Sequence, residues 1–299
     1  MKYPKQNSVR LFLCALLVSP CGSVLPQTLA PGVSLVAVAP GYARYNLNAA
    51  SFTRHSLVSI GTTQYIAFYS PATNVVVGRR LLGAATWETN HTGFKPNNAT
   101  DGHDVVSIGV GADGILHCSW GMHGDTFHYA RGTQAWSLNL VATTMTGFEN
   151  TVTYPQFINL PNGDLLYLFR EGTSGAGDTY LNRYSSVTHA WTNVHTTSGA
   201  QSPFIKGTTG NSVTDCNAYP NFVCLDSRTN LHVTWVWRED ASSINYNHDH
   251  CYARSADYGV TWTKWAGTVY ALPITKATRC SGLGVESSPE RNFRPRSSA

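Results

Sequence analysis

The sequence predicts an all-β protein, and within that class a β-propeller assembled from four-stranded sheets. Three observations predict this fold: a unit that recurs along the chain, a tryptophan that closes each copy of the unit, and one turn motif that is typical of propeller blades. Helical periodicity of the apolar residues is not sustained beyond the N-terminal segment. The chain of 299 residues holds enough sequence for four to five such blades.

The N-terminal segment has the pattern of an export signal, which we assign to residues 1–27. Three basic residues precede the apolar run LFLCALLV, and small or turn-forming residues follow it. The run is too short to span a bilayer, and no other apolar stretch of the sequence is long enough. A lipid anchor on Cys21 is disfavoured because Pro20 stands where a small residue is expected. We therefore expect a secreted, extracellular protein.

The positive charge of the chain belongs mostly to this signal. Removal of Lys2, Lys5 and Arg10 lowers the formal net charge from +4 to about +1. A nearly neutral domain lacks the basic surface that binds nucleic acid. We therefore expect neither nucleic acid nor a membrane as a partner, and we expect a monomer.

Residues 28–278 carry the recurring unit, and we assign them to one propeller domain. Each copy contains a turn with Gly or Asn, a β-rich run that ends in aromatic residues, a loop, a second strand with Tyr or Arg, and a tryptophan. The copies are residues 61–87, 111–136, 160–191 and 225–262. Their closing tryptophans are 49, 55 and 71 residues apart, which suits four-stranded blades with loops of unequal length.

Residues 255–262 read SADYGVTW and fit the Asp-box pattern S-x-D-x-G-x-T-W. In such a turn the Asp side chain caps backbone amides, and the Trp packs between neighbouring sheets. The motif predicts a propeller blade and has a structural rather than a catalytic role.

The last part of the chain differs in kind from the rest. After residue 278 the sequence turns polar, loses strand alternation and contains two prolines. We therefore predict an unstructured tail over residues 279–299.

Four residues of the predicted blades have acid–base or cationic chemistry. His103 lies in TDGHD, His123 in SWGMHG, and Tyr154 and Arg170 lie in TYPQFINLPNGDLLYLFREG. Each residue alone is more often structural than functional. As a set they combine a base, an acid and a carboxylate-binding cation, and strand ends and loops of a propeller converge on one face. The set therefore suits cleavage of an acidic sugar chain.

A second cluster, His248, His250 and Cys251 in NHDHC, could bind a structural zinc or calcium ion completed by a distant ligand. Successive residues of a strand face opposite ways, so the two histidines are expected to share a side while Cys251 points away. The competing interpretation is a set of hydrogen-bonded strand residues, and we keep all three off the catalytic set.

These stretches resemble the BNR-repeat polysaccharide lyases, the family typified by ulvan lyases. The resemblance covers roughly residues 46–275 and lies in DGHDVVSIGVGADGILHCSWGMHG, in MTGFENTVTYPQFINLPNGDLLYLFREGTSGAGDTYLNRY, in NAYPNF and in LHVTWVWRED. It implies a seven-bladed propeller with a substrate groove over the channel. The sequence is shorter than the family pattern at its C-terminal end, so we expect an incomplete, C-terminally truncated propeller.

The resemblance also implies roles for five residues. They are His103, His123, Tyr154, Arg170 and Tyr219 of NAYP. In β-elimination the carboxylate of a uronate is neutralised before the proton on C5 is removed. Arg170 would bind that carboxylate with His123 or Tyr219 as further donors, and His103 would remove the proton. Tyr154 would protonate the leaving oxygen, or act as both base and acid, and no metal or organic cofactor is required.

We therefore expect a polysaccharide lyase acting on an anionic, uronate-containing polysaccharide. Two alternatives stay open. A sialidase-like glycoside hydrolase would need an arginine triad, for which Arg170, Arg183 and Arg238 are the candidates. A non-catalytic glycan-binding propeller would need only the fold.

Overall fold

The structure is a computed structural model, and it describes residues 34–51, 53–175, 177–207, 216–239 and 244–278. The chain divides into two compact units, Met1–Val36 and Ala37–Ala299, and the architecture below is that of the second unit. The predicted signal peptide and the predicted tail lie outside the described residues, so both stay predictions.

The described residues confirm the all-β fold, with antiparallel sheets that follow one another along the chain. The first sheet contains, in this order, β1 (Leu57–Ile60), β2 (Thr63–Tyr69), β3 (Val75–Leu81) and β4 (Glu88–His91). The second contains β5 (Val106–Val110), β6 (Leu116–Trp120), β8 (Tyr129–Gly132) and β9 (Leu140–Ala142). Three short 3₁₀ helices are present in the described residues: Asn46–Asn48, Ile244–Tyr246 and Lys276–Thr278.

The third sheet takes one strand from the neighbouring repeat. Its strands, in spatial order, are β13 (Ala190–Asn193), β12 (Asp178–Ser185), β11 (Leu165–Glu171), β10 (Val152–Asn159) and β7 (His123–Asp125). Strand β7 lies in the sequence between β6 and β8 of the second sheet, yet it pairs with β10. The second repeat therefore contributes a strand directly to the third sheet.

The fourth sheet contains three strands, β16 (Asn217–Leu225), β17 (Leu231–Arg238) and β18 (Asn247–Ser255). Thr263 makes an isolated antiparallel bridge to β18, at the place that a fourth strand occupies in the other sheets. A separate two-stranded ribbon joins β14 (Thr196–Thr197) to β15 (Ala200–Gln201).

The first two strands of a repeat are joined by tight turns whose polar side chains bind the backbone. Asp113 accepts a hydrogen bond from the Ile115 amide between β5 and β6. Asp226 accepts hydrogen bonds from the amides of Arg228 and Asn230 between β16 and β17. Because such Asx turns reverse the chain within a few residues, they set the strand order that the repeat predicts.

Apolar residues fill the spaces between consecutive sheets. One buried cluster draws mainly on β2, β3, β5 and β6, a second on β8, β10, β11 and β12, and a third on β11, β16, β17 and β18. All five positions of β5 and of β6 are buried. Strands buried on both faces lie between two packed neighbours, so the sheets stack one against the next.

The closing tryptophans lie at the outer strands of their sheets. Trp87 and Trp136 precede β4 and β9, and Trp191 lies within β13. Trp262 follows β18 and is fully buried, whereas Trp136 is 46% exposed and adopts a positive φ of 65°. The tryptophan thus marks the end of each repeat, but the described structure uses it as a core residue to different extents.

Trp262→Ala is expected to destabilise the fold by about 3–5 kcal/mol, the range for removal of a large buried aromatic side chain. The indole packs on Phe204 with 4.3 Å between ring centroids and donates a hydrogen bond to the Gly259 carbonyl. Urea denaturation measures the change in the free energy of unfolding. Trp265→Ala is the control, because Trp265 is 71% exposed and its loss should cost less than about 0.5 kcal/mol. Equal losses in the two variants would contradict this role of Trp262.

Candidate active site

Three neighbouring strands place three residues in one row across the third sheet. His123 of β7 is opposite Thr153 of β10, and Thr153 is opposite Arg170 of β11. Residues that face each other across antiparallel strands project on the same side of the sheet. Two residues that stand far apart in the sequence, His123 and Arg170, therefore lie on the same side, one strand apart.

Tyr154 enters this row through a β-bulge. The pairing of β10 with β11 shifts between Thr153 and Gln156, so Tyr154 and Pro155 have no partners in the ladder. Tyr154 has φ of 56°, a left-handed conformation that is costly for a residue with a Cβ. A bulge redirects a side chain, and here the phenol ring lies 5.8 Å from the His103 ring and 6.2 Å from the His123 ring.

The two histidines form a stacked pair held by one carboxylate. Their ring centroids are 4.1 Å apart and the ring planes differ by 18°. Asp101 accepts a hydrogen bond from Nδ1 of His103 on Oδ1, at 2.6 Å, and from Nδ1 of His123 on Oδ2, at 2.7 Å. Burial raises the pKa of Asp101, but these bonds and one from the His103 amide outweigh it and lower the pKa to about 2. Asp101 is therefore ionised at neutral pH.

The same three residues also carry the side-chain types that bind metal ions. Asp101, His103 and His123 each place one potential ligand atom within 4.8 Å of the others. A metal ion binds the in-plane lone pair of an imidazole, and two nearly parallel stacked rings direct these lone pairs side by side rather than toward one point. The observed arrangement fits a hydrogen-bonded pair better than a chelate.

Arg170 is a buried cation between two tyrosine rings. Its guanidinium carbon is 5.0 Å from the ring centroid of Tyr154 and 5.0 Å from that of Tyr219. The residue is 1% exposed, and its three nitrogens make no hydrogen bond of regular geometry among the described residues, the nearest interaction being that of the guanidinium with the Tyr219 phenol. Gly177 packs against its stem, where a Cβ would approach Cδ to 2.6 Å. A buried charge without a paired anion is costly, so the site is suited to receive a negative group.

The two tyrosines differ in the direction of their pKa shifts. Burial raises the pKa of Tyr154 more than the charge of Arg170 lowers it. Burial opposes the shift of Tyr219, but a hydrogen bond with Ser174 and the charges of Arg170 and Arg238 lower the pKa of its phenol. Tyr154 therefore holds its proton more firmly than Tyr219 does.

The structure brings all five residues of the predicted set into one connected cluster through the contacts above. Sequence reasoning missed Asp101, although its place two residues before His103 in TDGHD was visible. It also gave Arg238 no role in the lyase site, yet the Arg238 guanidinium lies 3.7 Å from the centroid of the Tyr219 ring. The contact of Asp101 with His123 and that of Arg238 with Tyr219 join different elements of the fold, so sequence spacing does not indicate them.

The second predicted cluster does not assemble as a ligand set in the described part of the chain. Cys251 is 2% exposed and packs in the core opposite Trp235 of β17. His248 contacts the carboxylates of Glu239 and Asp249, whereas His250 is exposed. A bulge with φ of 51° at Asp249 interrupts the strand here. It places His248, opposite Trp237, on the same side as Cys251, and His250, opposite Val236, on the other side. The prediction that the two histidines share a side was therefore wrong. The described contacts therefore favour the interpretation as strand residues over a structural metal site.

Asp104, next to the histidine pair, has a pKa above the usual range of a carboxyl group. Its side chain is buried, and Oδ2 accepts a hydrogen bond from the Asn98 amide. Burial, together with the charges of Asp101 and Asp125, raises the pKa of Asp104 to about 6. Because the folded-state pKa lies above the unfolded value of about 4, protonated Asp104 stabilises the fold fully below about pH 4. This stabilisation is lost as the pH rises through about 6.

Asp104→Asn is therefore expected to remove one component of the pH dependence of stability. The melting temperature of the variant, relative to that of the natural protein, should rise as the pH increases from about 4 to about 7. Thermal unfolding of both proteins across this range measures the difference, in which histidine titrations common to both cancel. A difference that stays constant with pH would contradict the assigned titration.

The chain forms stacked antiparallel sheets, and its polar cluster lies where β7 of the second repeat joins the third sheet. This architecture places it in the class of repeat-built all-β proteins. The chain belongs to the BNR repeat-containing family, whose pattern it matches over residues 63–288. No curated protein sequence matches the chain.

Solved structures with a similar fold include polysaccharide lyases. An ulvan lyase of polysaccharide lyase family 25, bound to -[GlcA(1-4)Rha3S]-, has a TM-score of 0.63 and 14% identity, and the match covers 81% of this chain and 59% of that chain. Polysaccharide lyase Uly1 has a TM-score of 0.63 and 16% identity, with 85% of this chain and 61% of that chain covered. At these identities the likeness concerns the fold. The chain spans about three fifths of the length of both. In the described residues, no helix is both long and apolar enough to cross a membrane.

Proposed function

We propose that the protein is a secreted polysaccharide lyase that cleaves an anionic, uronate-containing glycan by β-elimination. The observation that carries the proposal is the cluster of His103, His123, Tyr154, Arg170 and Tyr219 at the β7–β10–β11 row. Such a cluster combines the three functions that elimination beside a carboxylate requires: a cation for the carboxylate, a base and a proton donor. No metal or organic cofactor enters this scheme.

Neutralisation of the carboxylate comes first, because loss of the C5 proton beside an ionised carboxylate builds a dianionic enolate. Arg170 supports this step as a buried guanidinium that makes no hydrogen bond of regular geometry among the described residues. Its planar fork suits bidentate binding of a carboxylate. Because Arg170 is covered in this structure, we expect the neighbouring residues to shift when the uronate binds. Arg238, which is partly exposed beside Tyr219, adds a second cation next to the site.

Proton transfer then involves His103 and Tyr154. A neutral imidazole is suited to remove the C5 proton. The raised pKa of Tyr154 keeps its phenol protonated, which supports the role of acid toward the C4 oxygen over the dual role of base and acid. The product is an unsaturated uronate at the new non-reducing end and a free hydroxyl on the leaving sugar.

We also propose that the stacked sheets are blades of a propeller, and that the substrate is ulvan-like. The order of the sheets along the chain and the cores between consecutive sheets support the first proposal. The resemblance to the seven-bladed family and the ligand of the ulvan lyase structure, -[GlcA(1-4)Rha3S]-, support the second. The domain proposed for this fold is residues 28–278, and we propose that it is monomeric.

The sialidase-like alternative receives less support from the geometry. Arg183 binds Asp164 through Nε at 3.0 Å and through Nη2 at 2.7 Å. Arg183 of β12 is opposite Leu166, near the other end of β11 from Arg170. Arg170 and Arg183, two members of the required arginine triad, thus lie near opposite ends of the paired strands β11 and β12.

The test is incubation of the purified protein with ulvan, alginate, pectin and a glycosaminoglycan, with a neutral glycan as the control. A lyase will produce the ultraviolet absorbance of the C4–C5 double bond with the acidic glycans only. New reducing ends without that absorbance would indicate a hydrolase. Glycan binding without either product would indicate the non-catalytic alternative.

A further inference from the structure

We propose that Asp101 is a positioning residue that holds His103 and His123 in the same tautomer, with the proton on Nδ1 of each ring. The carboxylate bridges both imidazoles, one on each oxygen. The catalytic consequence rests on the proposed lyase function, whereas the tautomers can be measured without any substrate.

The carboxylate is itself held in place. Oδ1 also accepts a hydrogen bond from the His103 amide at 2.9 Å. The Asp101 amide donates to the Asn98 carbonyl, and the Asp101 carbonyl accepts from the Asp104 amide. Backbone and side chain are thus anchored in one turn, so each carboxylate oxygen keeps its own imidazole.

An ionised carboxylate can only accept hydrogen bonds. Each Nδ1 that meets it must therefore carry the proton, and a neutral ring then has its lone pair on Nε2. This arrangement gives His103 a basic Nε2 for the proton on C5. It also means that His123 can donate from Nε2 to a substrate carboxylate only when its ring is protonated.

The stacking of the rings adds a further constraint. Two imidazolium ions with centroids 4.1 Å apart would repel each other, and one carboxylate compensates only one positive charge. The pair is therefore suited to hold a single transferred proton at a time. Asp101 stabilises the imidazolium that forms and fixes the ring orientation, as an orienting carboxylate does in acid–base catalysis.

Asp101→Asn tests the proposal, because an amide offers one accepting oxygen and one donating nitrogen. One imidazole can keep its Nδ1–H, and the other must present Nδ1 as an acceptor and move its proton to Nε2. Long-range proton–nitrogen NMR of ¹⁵N-histidine protein, above the pH at which the rings titrate, reports each tautomer. His103→Gln and His123→Gln assign the signals. The expected spectrum shows Nδ1–H on both rings in the natural protein and Nε2–H on one ring in the variant.

Turnover provides the second measurement. Asp101→Asn is expected to lower kcat by about 10²-fold to 10⁴-fold with KM changed by less than about threefold, because orientation of the base rather than substrate binding is lost. Asp226→Asn is the matched control, since Asp226 accepts a hydrogen bond from His232 in the fourth sheet. It should leave kcat and the signals of His103 and His123 unchanged.

The outcomes separate the two proposals. Nε2–H tautomers on both rings of the natural protein would overturn the role of Asp101, and this measurement does not depend on whether the variant folds. Unchanged kcat in a folded Asp101→Asn variant of an active lyase would overturn it as well. If both rings carry the proton on Nδ1 but the protein cleaves none of the acidic glycans, the role of Asp101 is supported and the proposed function is wrong.

Discussion

Tyr154→Phe will lower kcat by about 10²-fold to 10⁴-fold and leave the affinity for the glycan nearly unchanged. The substitution retains the ring, which contacts Arg170 and the histidine pair, and removes only the phenolic O–H. Without this proton donor, the C4 oxygen would leave as an alkoxide. Steady-state formation of the unsaturated product measures kcat, and isothermal titration with a non-cleaved oligosaccharide measures the affinity.

Tyr180→Phe is the matched control for this experiment. Tyr180 lies on β12 in the same sheet, but its ring packs on Phe148 and Phe169 in the core. Loss of the Tyr180 hydroxyl should change kcat by less than about twofold relative to the natural protein. If Tyr154→Phe retained full turnover, another group would be the acid, and the role assigned to the raised pKa of Tyr154 would be wrong.

Arg170→Met will lower kcat/KM by at least about 10²-fold to 10³-fold, while the melting temperature stays the same or rises. The loss of turnover follows from the loss of the cation that neutralises the uronate. The retained stability follows from burial, because a well-packed apolar side chain replaces a buried charge that makes no hydrogen bond of regular geometry among the described residues. Opposite effects on activity and stability are typical of functional residues in costly environments.

Arg183→Met provides the comparison for Arg170. Arg183 is on the adjacent strand and pairs with Asp164 in the turn between β10 and β11. Its replacement should leave turnover intact and change stability by no more than about 1 kcal/mol, the range for a partly exposed ion pair. A large fall in the melting temperature of Arg170→Met would instead show that Arg170 serves mainly to hold the two tyrosines.

The strands and their order were predictable because they depend on local features. Alternating or continuous apolar runs, Asx turns and a tryptophan at a regular interval act within one repeat, and the structure confirms the all-β fold. The placement of β7 was not predictable in this way. Its three residues carry no strand signal of their own, and their pairing with β10 is a long-range contact.

The candidate site also combines features that the sequence predicts with features that depend on long-range contacts. His103, His123, Tyr154, Arg170 and Tyr219 were found because their residue types suit the chemistry and because the sequence resembles a lyase family. The bridging carboxylate of Asp101 and the burial of Arg170 depend on how separate elements pack. The bulge at Tyr154 depends on a one-residue register shift that no hydrophobic pattern indicates. These features determine protonation and access, so they appear only in three dimensions.

The crossing of β7 also bears on how such a protein can change during evolution. Repeat proteins gain and lose whole repeats readily when each repeat contacts its neighbours only through side chains. Here the backbone of the second repeat is hydrogen-bonded into the third sheet, and one of the candidate catalytic histidines lies on the shared strand. Duplication or deletion of either repeat alone would divide this strand from its sheet. We therefore expect the second and third repeats to be retained together when the number of repeats changes.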